Sequence, residues 1–185
     1  MQPFELRVAT GADAPAIAEL ANQYTYQHLS AAERQGGFLT GSFSGPALQA
    51  MLASVPGQVA YQGPELVGFI INSRLAPDRY QPLVQGIGTL LPTLQYRQRA
   101  VADYRWFFYG PVLVKQAYRG HGLLRQLFEA SQRELAGRFD LGIAFIAEEN
   151  VASLRVHTQK LGLEIVGNLA FQGTAYAILV FPVSS

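Results

Sequence analysis

The 185-residue chain has no cysteine, which excludes disulfide frameworks, thiol nucleophiles and cysteine-rich zinc sites. Charge is also sparse. Asp, Glu, Lys and Arg make up 15% of the residues and leave a formal net charge of +1. Nothing electrostatic therefore favours a nucleic-acid or membrane-surface partner. His28, His121 and His157 are far apart and lack a helix-face pairing, so no metal site is expected. No apolar run approaches the roughly 20 residues of a membrane span. The first residues carry Glu5 and no long apolar stretch, unlike a signal peptide, and a cytoplasmic protein is expected. What the chain does have is a hydrophobic fraction of 49%. That is ample for one packed domain over residues 1–185, since domains commonly run to about 100–200 residues.

Residues 4–9 alternate apolar and polar and predict a half-buried strand. Thr10 and Asp13 offer capping side chains, and Ile17, Leu20, Ala21 and Tyr24 follow at helical spacing. Residues 30–45, rich in Gly, Ser and Thr, read as a loop before a short helix at about 46–54. Residues 59–61 and 66–75 predict a hairpin. Residues 76–103 are punctuated by Pro77, Pro82, Gly86, Gly88 and Pro92, although Leu90, Leu91, Leu94 and Tyr96 suit a short helix. A connection of this length is either a lid or interface insertion or a decorated surface loop. Strands are expected at 105–114 and 141–147, helices at 120–136 and 152–161, and a final hairpin at 164–171 and 174–183. The whole is a mixed α/β sheet flanked by helices.

The strand ending at Val114 runs into Arg119-Gly120-His121-Gly122, and a helix begins at once. Glycines at such a junction let successive N–H groups converge beside the positive end of the helix dipole, which suits a phosphate or pyrophosphate. There is no Gly-Lys-Ser/Thr of a Walker loop. Arg125 stands where the dinucleotide fingerprint needs its third glycine.

This stretch resembles the central motif of the GCN5-related N-acetyltransferase (GNAT) superfamily, Gln/Arg-x-x-Gly-x-Gly/Ala. Arg119, Gly122 and Leu124 take its three specified positions. Leu124 replaces the usual small residue and either crowds the pyrophosphate or points into the core. Downstream, Glu149-Asn150 through His157, followed by Lys160-Leu161-Gly162-Leu163, is similar to the family's second motif on the CoA side. The resemblance covers nearly the whole chain. It implies a mixed, mostly antiparallel sheet with a V-shaped splay between the fourth and fifth strands, and acetyl-CoA as cosubstrate. Leu113 and Val114 would meet the pantetheine arm. Arg119, Gly120, His121, Gly122, Leu123 and Leu124 would hold the pyrophosphate, with Asn150 close to the cofactor as well as capping its helix.

Direct transfer to an amine needs a neutral nucleophile, a positioned thioester and a proton for the thiolate. Glu148 and Glu149 end a strand beside the implied cleft, and alternation allows one of them to face it as base. Their bland alternative is a solvated strand end. The family often carries an acid on the following helix. Counting from Asn150 places it at His157, whereas counting back from Gly162 places it at Thr158. A histidine there protonates the thiolate or simply packs beside the sheet. Tyr109 and Tyr176 are weaker candidates for the acid.

The acceptor pocket is the least diagnostic part. Tyr24, Tyr26, Phe38, Phe43, Tyr80, Tyr96 and Trp106 offer an aromatic wall, and Arg74, Arg79, Arg97 and Arg99 slightly favour an anionic acceptor. The last strands and residues 76–103 offer apolar surface suited to a homodimer. The reading is therefore an acetyl-CoA-dependent N-acetyltransferase acting on a primary amine. The alternatives are a catalytically silent acyl-CoA-binding or regulatory domain and a nucleotide-binding module without CoA.

Overall fold

The computed structural model describes residues 3–183. The elements in chain order are β1 (Glu5–Val8), α1 (Ala14–Asn22), α2 (Ala31–Arg34), α3 (Gly45–Ser54), β2 (Gln58–Gln62), β3 (Glu65–Ser73) and α4 (Pro82–Leu90). Next come β4 (Gln95–Tyr96), β5 (Arg99–Ala100), β6 (Trp106–Val114), α5 (Leu123–Leu135), β7 (Leu141–Ala147), α6 (Val151–Arg155), β8 (Glu164–Phe171) and β9 (Thr174–Pro182). The main sheet has the order β1-β2-β3-β6-β7-β9-β8. Its neighbouring pairs are antiparallel except β6 and β7, which are parallel. This is the mixed, mostly antiparallel sheet expected. The fourth and fifth expected strands are β6 and β7.

Local chemistry accounts for the departures from expectation. The 30–45 segment holds α2, because Ser30 and Glu33 form a capping box: the Ser30 N–H donates to Glu33 at 2.8 Å and the Glu33 N–H to the Ser30 hydroxyl at 3.3 Å. Helix α5 starts at Leu123 rather than near 120. Gly120 and Gly122 sit at φ +82° and +75°, outside helical backbone. The expected helix over 152–161 is α6 followed by a π turn, Val156–Lys160. Its N–H of Leu161 reaches back five residues to the Val156 carbonyl at 3.1 Å. A π turn accommodates one residue more than an α turn, and that extra residue made the count from Asn150 disagree with the count from Gly162.

Helix α5 covers one sheet face, with Leu123, Leu127, Phe128 and Leu135 packing among Ile70, Phe107, Tyr109 and Phe181. On the other face, α1 and α3 pack on Val59, Phe69, Ile71 and Leu113. The second half of that face is covered by residues 76–103. Leu83 and Ile87 of α4, with Leu91, Tyr96 and Val101 after it, pack on Phe108, Ile143, Ile178 and Val180. This segment is a structural layer of the domain, and its leading residues also face the site described below. No helix among the described residues is long and apolar enough to cross a membrane.

A buried carboxylate ties β1 to α1. Asp13 accepts two bonds from the Arg7 guanidinium at 2.8 Å, one from the Thr10 N–H at 2.8 Å and one from the Tyr61 hydroxyl at 2.9 Å. Arg7 above all, and then the Thr10 and Tyr61 bonds, hold the Asp13 carboxyl below the usual carboxylate range. A depressed folded pKa contributes stability above the unfolded value of about 4, and that contribution is lost as pH falls through the folded value. We predict that Asp13→Ala lowers unfolding free energy by about 2–4 kcal/mol at pH 7. The gap to wild type should narrow progressively below about pH 4 when urea unfolding is followed at several pH values.

Candidate active site

Strands β6 and β7 pair only where residues 106–108 meet 141–143. Beyond that point β7 stays on β9 as far as Ala147, while β6 stays on β3 as far as Val114. The cause lies in β6. Asn72 faces Tyr109 and Ile70 faces Val112, so Ile71 alone spans both Gly110 and Pro111. This is a β-bulge, which bends its strand, and Pro111 has no N–H to give to a neighbour. The diverging strands border a cavity of about 860 Å3 that passes through the sheet.

One side of the cavity is exposed backbone. The Lys115 N–H donates to Val67 on β3 at 2.8 Å. Alternation then turns the backbone of Leu113 to β3 and that of Val112 and Val114 into the gap. Leu113 contributes its side chain to the opposite core. Val112 was not picked out by the sequence reading, although strict alternation from Val114 pointed to it.

At the end of this edge lies the glycine turn. Among the described residues, the N–H groups of residues 120–125 donate to no other protein group. They surround the N-terminus of α5, whose dipole adds positive potential. A Cβ at Gly120 or Gly122 would meet nothing within 4 Å, so these glycines are required by their positive φ and not by crowding. Leu124 lines the cavity and is half-buried, packed against the core cluster under α5. Arg125 and Lys160 add positive charge there, and an Arg125 bond to the Lys160 carbonyl at 2.7 Å fixes the two. His121 is exposed and lies outside the cavity wall.

His157 and Tyr109 meet at the cavity. The Tyr109 hydroxyl is 3.3 Å from His157 Nε2, and His157 Nδ1 is 2.9 Å from the Ser153 carbonyl oxygen. A carbonyl only accepts, so Nδ1 carries the proton and Nε2 accepts from the tyrosine. Burial lowers the His157 pKa, partly countered by the Ser153 bond, and burial raises that of Tyr109. The pair therefore holds one neutral imidazole and one protonated phenol at neutral pH. The π turn directs His157 inward, while the Thr158 hydroxyl is bonded to the Leu154 carbonyl at 2.7 Å. Tyr176 packs in the core under α4. Glu148 and Glu149 are exposed in the turn after β7, outside the cavity wall. No group of three or more His, Asp or Glu among the described residues is arranged to hold a metal.

The far end of the cavity is aromatic. Phe38, Phe43 and Tyr80 line it, together with Phe108 and Phe145, which the sequence reading had not separated from the core. The other expected aromatics serve elsewhere. Tyr24 accepts the Gln116 N–H at 3.0 Å, Tyr26 stacks edge-on with Phe38, Tyr96 is buried, and Trp106 carries Arg74 on its ring. Arg97 and Arg99 lie over Tyr96 and Tyr104, which leaves Arg79 as the expected arginine that reaches the cavity.

A strap formed by residues 36–43 crosses the cavity mouth, a feature with no local signal in the sequence. Arg119 donates to the Val114 carbonyl at 2.9 Å and to the Gly36 carbonyl at 2.7 Å. Its guanidinium is thus spent on positioning the strand end and the strap, and burial lowers its pKa. Asn150 performs the matching task from β7's side: its amide donates to the Phe38 carbonyl at 2.8 Å while its oxygen caps α6. Asn22 holds the far end through two bonds to Phe43. We predict that Arg119→Ala and Asn150→Ala each speed amide hydrogen exchange at residues 36–40 by about tenfold, the loss of roughly one hydrogen bond. Exchange in β3 and β9 should be unchanged.

No protein-family model matches the chain, and no curated protein matches it in sequence. Solved structures do match in shape. NAA60 of Arabidopsis thaliana, in complex with a bisubstrate analogue, superposes with a TM-score of 0.67 at 12% identity, covering 97% of this chain and 98% of its own. Salmonella typhimurium yncA, solved with its cofactor acetyl-CoA, gives 0.62 at 16% identity over 100% and 96%. An acetyltransferase of the GNAT family from Streptococcus pneumoniae gives 0.60 at 13% identity over 98% and 100%. Over residues 3–183 the chain shares its fold with these acetyltransferases, among them a member of the GNAT family.

Proposed function

We propose that this chain is an acetyl-CoA-dependent N-acetyltransferase that moves the acetyl group directly to a primary amine. The observation that carries the reading is one cavity holding both a strand edge that no other strand pairs, at Val112 and Val114, with only the Val114 carbonyl taken by Arg119, and a ring of free N–H groups at residues 120–125. The edge suits the amides of a pantetheine arm, and the turn suits a pyrophosphate. Acetyl-CoA in yncA, which has a similar fold, supports the same assignment. In this arrangement Gly120, Gly122, Leu123, Leu124 and Arg125 act through their backbone. Arg119 and Asn150 are positioning residues.

The amine nitrogen attacks the thioester carbon, the C–S bond breaks, and one proton must pass from nitrogen to sulfur. Tyr109 and His157 suit that transfer. As the tyrosine hydroxyl gives its proton to the departing thiolate, His157 Nε2 loses its hydrogen bond and becomes free to accept the proton shed by the amine. It then returns that proton to the phenolate oxygen. Both groups end as they began. Glu148 has no part in this scheme. That no carboxylate among the described residues lines the cavity wall is the observation that favours the second reading, a silent acyl-CoA-binding domain.

Tyr109→Phe and His157→Gln are each expected to lower kcat by about 100-fold, with acetyl-CoA affinity by calorimetry little changed. Full turnover in both variants would remove the pair from the mechanism. Turnover absent from the wild type against a broad amine panel, with acetyl-CoA still bound, favours the silent domain. The base form of His157 is the active one and burial lowers its pKa. The acid limb of kcat should therefore lie below the ordinary histidine value of about 6.5 and vanish in His157→Gln.

A further inference from the structure

Resting on that reading, we propose that the acceptor is a small aromatic primary amine carrying no second positive charge. The cavity passes through the sheet, and its two ends differ in chemistry. Val112 and Tyr109 face the α5 side, where the free N–H groups lie, and His157 contacts Tyr109 there. Phe108 and Phe145 face the other side, beneath α4, together with Phe38, Tyr80, Leu83 and Val84. An acceptor entering from the α4 side would meet the thioester in the gap without displacing the donor.

The walls at that end are built to present rings. Tyr80 packs edge-on to Phe108 with centroids 5.3 Å apart, and Phe108 meets Phe145 at 6.4 Å, also edge-on. The Tyr80 hydroxyl is already committed, donating to Ser73 Oγ and accepting from the Leu75 N–H, each at 2.9 Å. It therefore offers a ring face and not a free polar group. A flat apolar guest between these surfaces gains edge-to-face contacts as well as burial.

Charge narrows the class further. Among the described residues no Asp or Glu lines any part of the cavity, and Arg79 is the charged residue at the α4 end. A diamine, polyamine or lysine-rich chain brings a second ammonium that stays charged at neutral pH. Within these walls it would lose water with no carboxylate to replace it, beside a like-charged guanidinium. An aromatic amine without that second charge has no such penalty, and one that bears a carboxylate finds Arg79 at the rim.

The test uses the full-length protein. Acetyl-CoA binding is measured by calorimetry. Acetylation of 2-phenylethylamine, phenylalanine, cadaverine, a lysine-rich peptide and a peptide beginning with phenylalanine is then followed by CoA release and product mass. The expected result is kcat/KM at least about tenfold higher for 2-phenylethylamine or phenylalanine than for the other three; which of those two leads reports whether Arg79 engages a carboxylate. Phe145→Ser should raise KM for the aromatic amines by about tenfold, and Val84→Glu should shift preference toward cadaverine. Preference for cadaverine or either peptide overturns the proposal, as does acetyl-CoA binding without turnover of any of the five. Failure to bind acetyl-CoA, or binding with no turnover of any amine in the broader panel, instead overturns the functional reading beneath it.

Discussion

The parting of β6 from β7 after residue 108 is the constraint on which the site depends. Each strand keeps its other neighbour, so the sheet loses no more than one short ladder while opening a passage through its centre. The bulge at Gly110 and Pro111 does two things at once. It ends the pairing with β7, and its extra residue resets the alternation so that Val112 and Val114 share a face with Tyr109. The same irregularity thus creates the free backbone edge and sets which side chains stand beside it.

Around that opening, polar groups are divided between holding the site and offering themselves to a ligand. The side chains of Arg119, Asn150, Tyr24 and Tyr80 are consumed by backbone or side-chain partners. What is left unpaired is mostly main chain, at the β6 edge and the glycine turn. A site of this kind binds through fixed N–H and carbonyl groups, which tolerates wide change in side chains. That fits a fold shared at 12–16% identity with the solved structures.

The parts legible in the sequence were those set by local chemistry. Gly120 and Gly122 between an apolar strand and an amphipathic helix marked the turn, and Asn150 and Gly162 bracketed the second motif. Their disagreement over His157 and Thr158 was itself informative, since the surplus residue is the π turn that turns His157 inward. The unreadable parts depend on tertiary pairing. Nothing local distinguishes Phe108, which faces the cavity, from Phe107, which does not. Glu148 sits beside the cleft in sequence, yet its N–H bonds Ala175 and its side chain stays in solvent. The strap at 36–43 reads as an ordinary polar loop, because its anchors Arg119 and Asn150 lie far along the chain.

We propose that the edge of β6 left open by β7 and the turn that follows it together hold acetyl-CoA. Amide hydrogen exchange with and without acetyl-CoA, resolved to single residues, tests it most directly. Slowed exchange is expected at Val112, Val114 and residues 120–125, whose N–H groups are free to donate, with little change at Leu113, already turned to β3. Saturation with acetyl-CoA that leaves those amides unprotected, or protects a different surface, would contradict it.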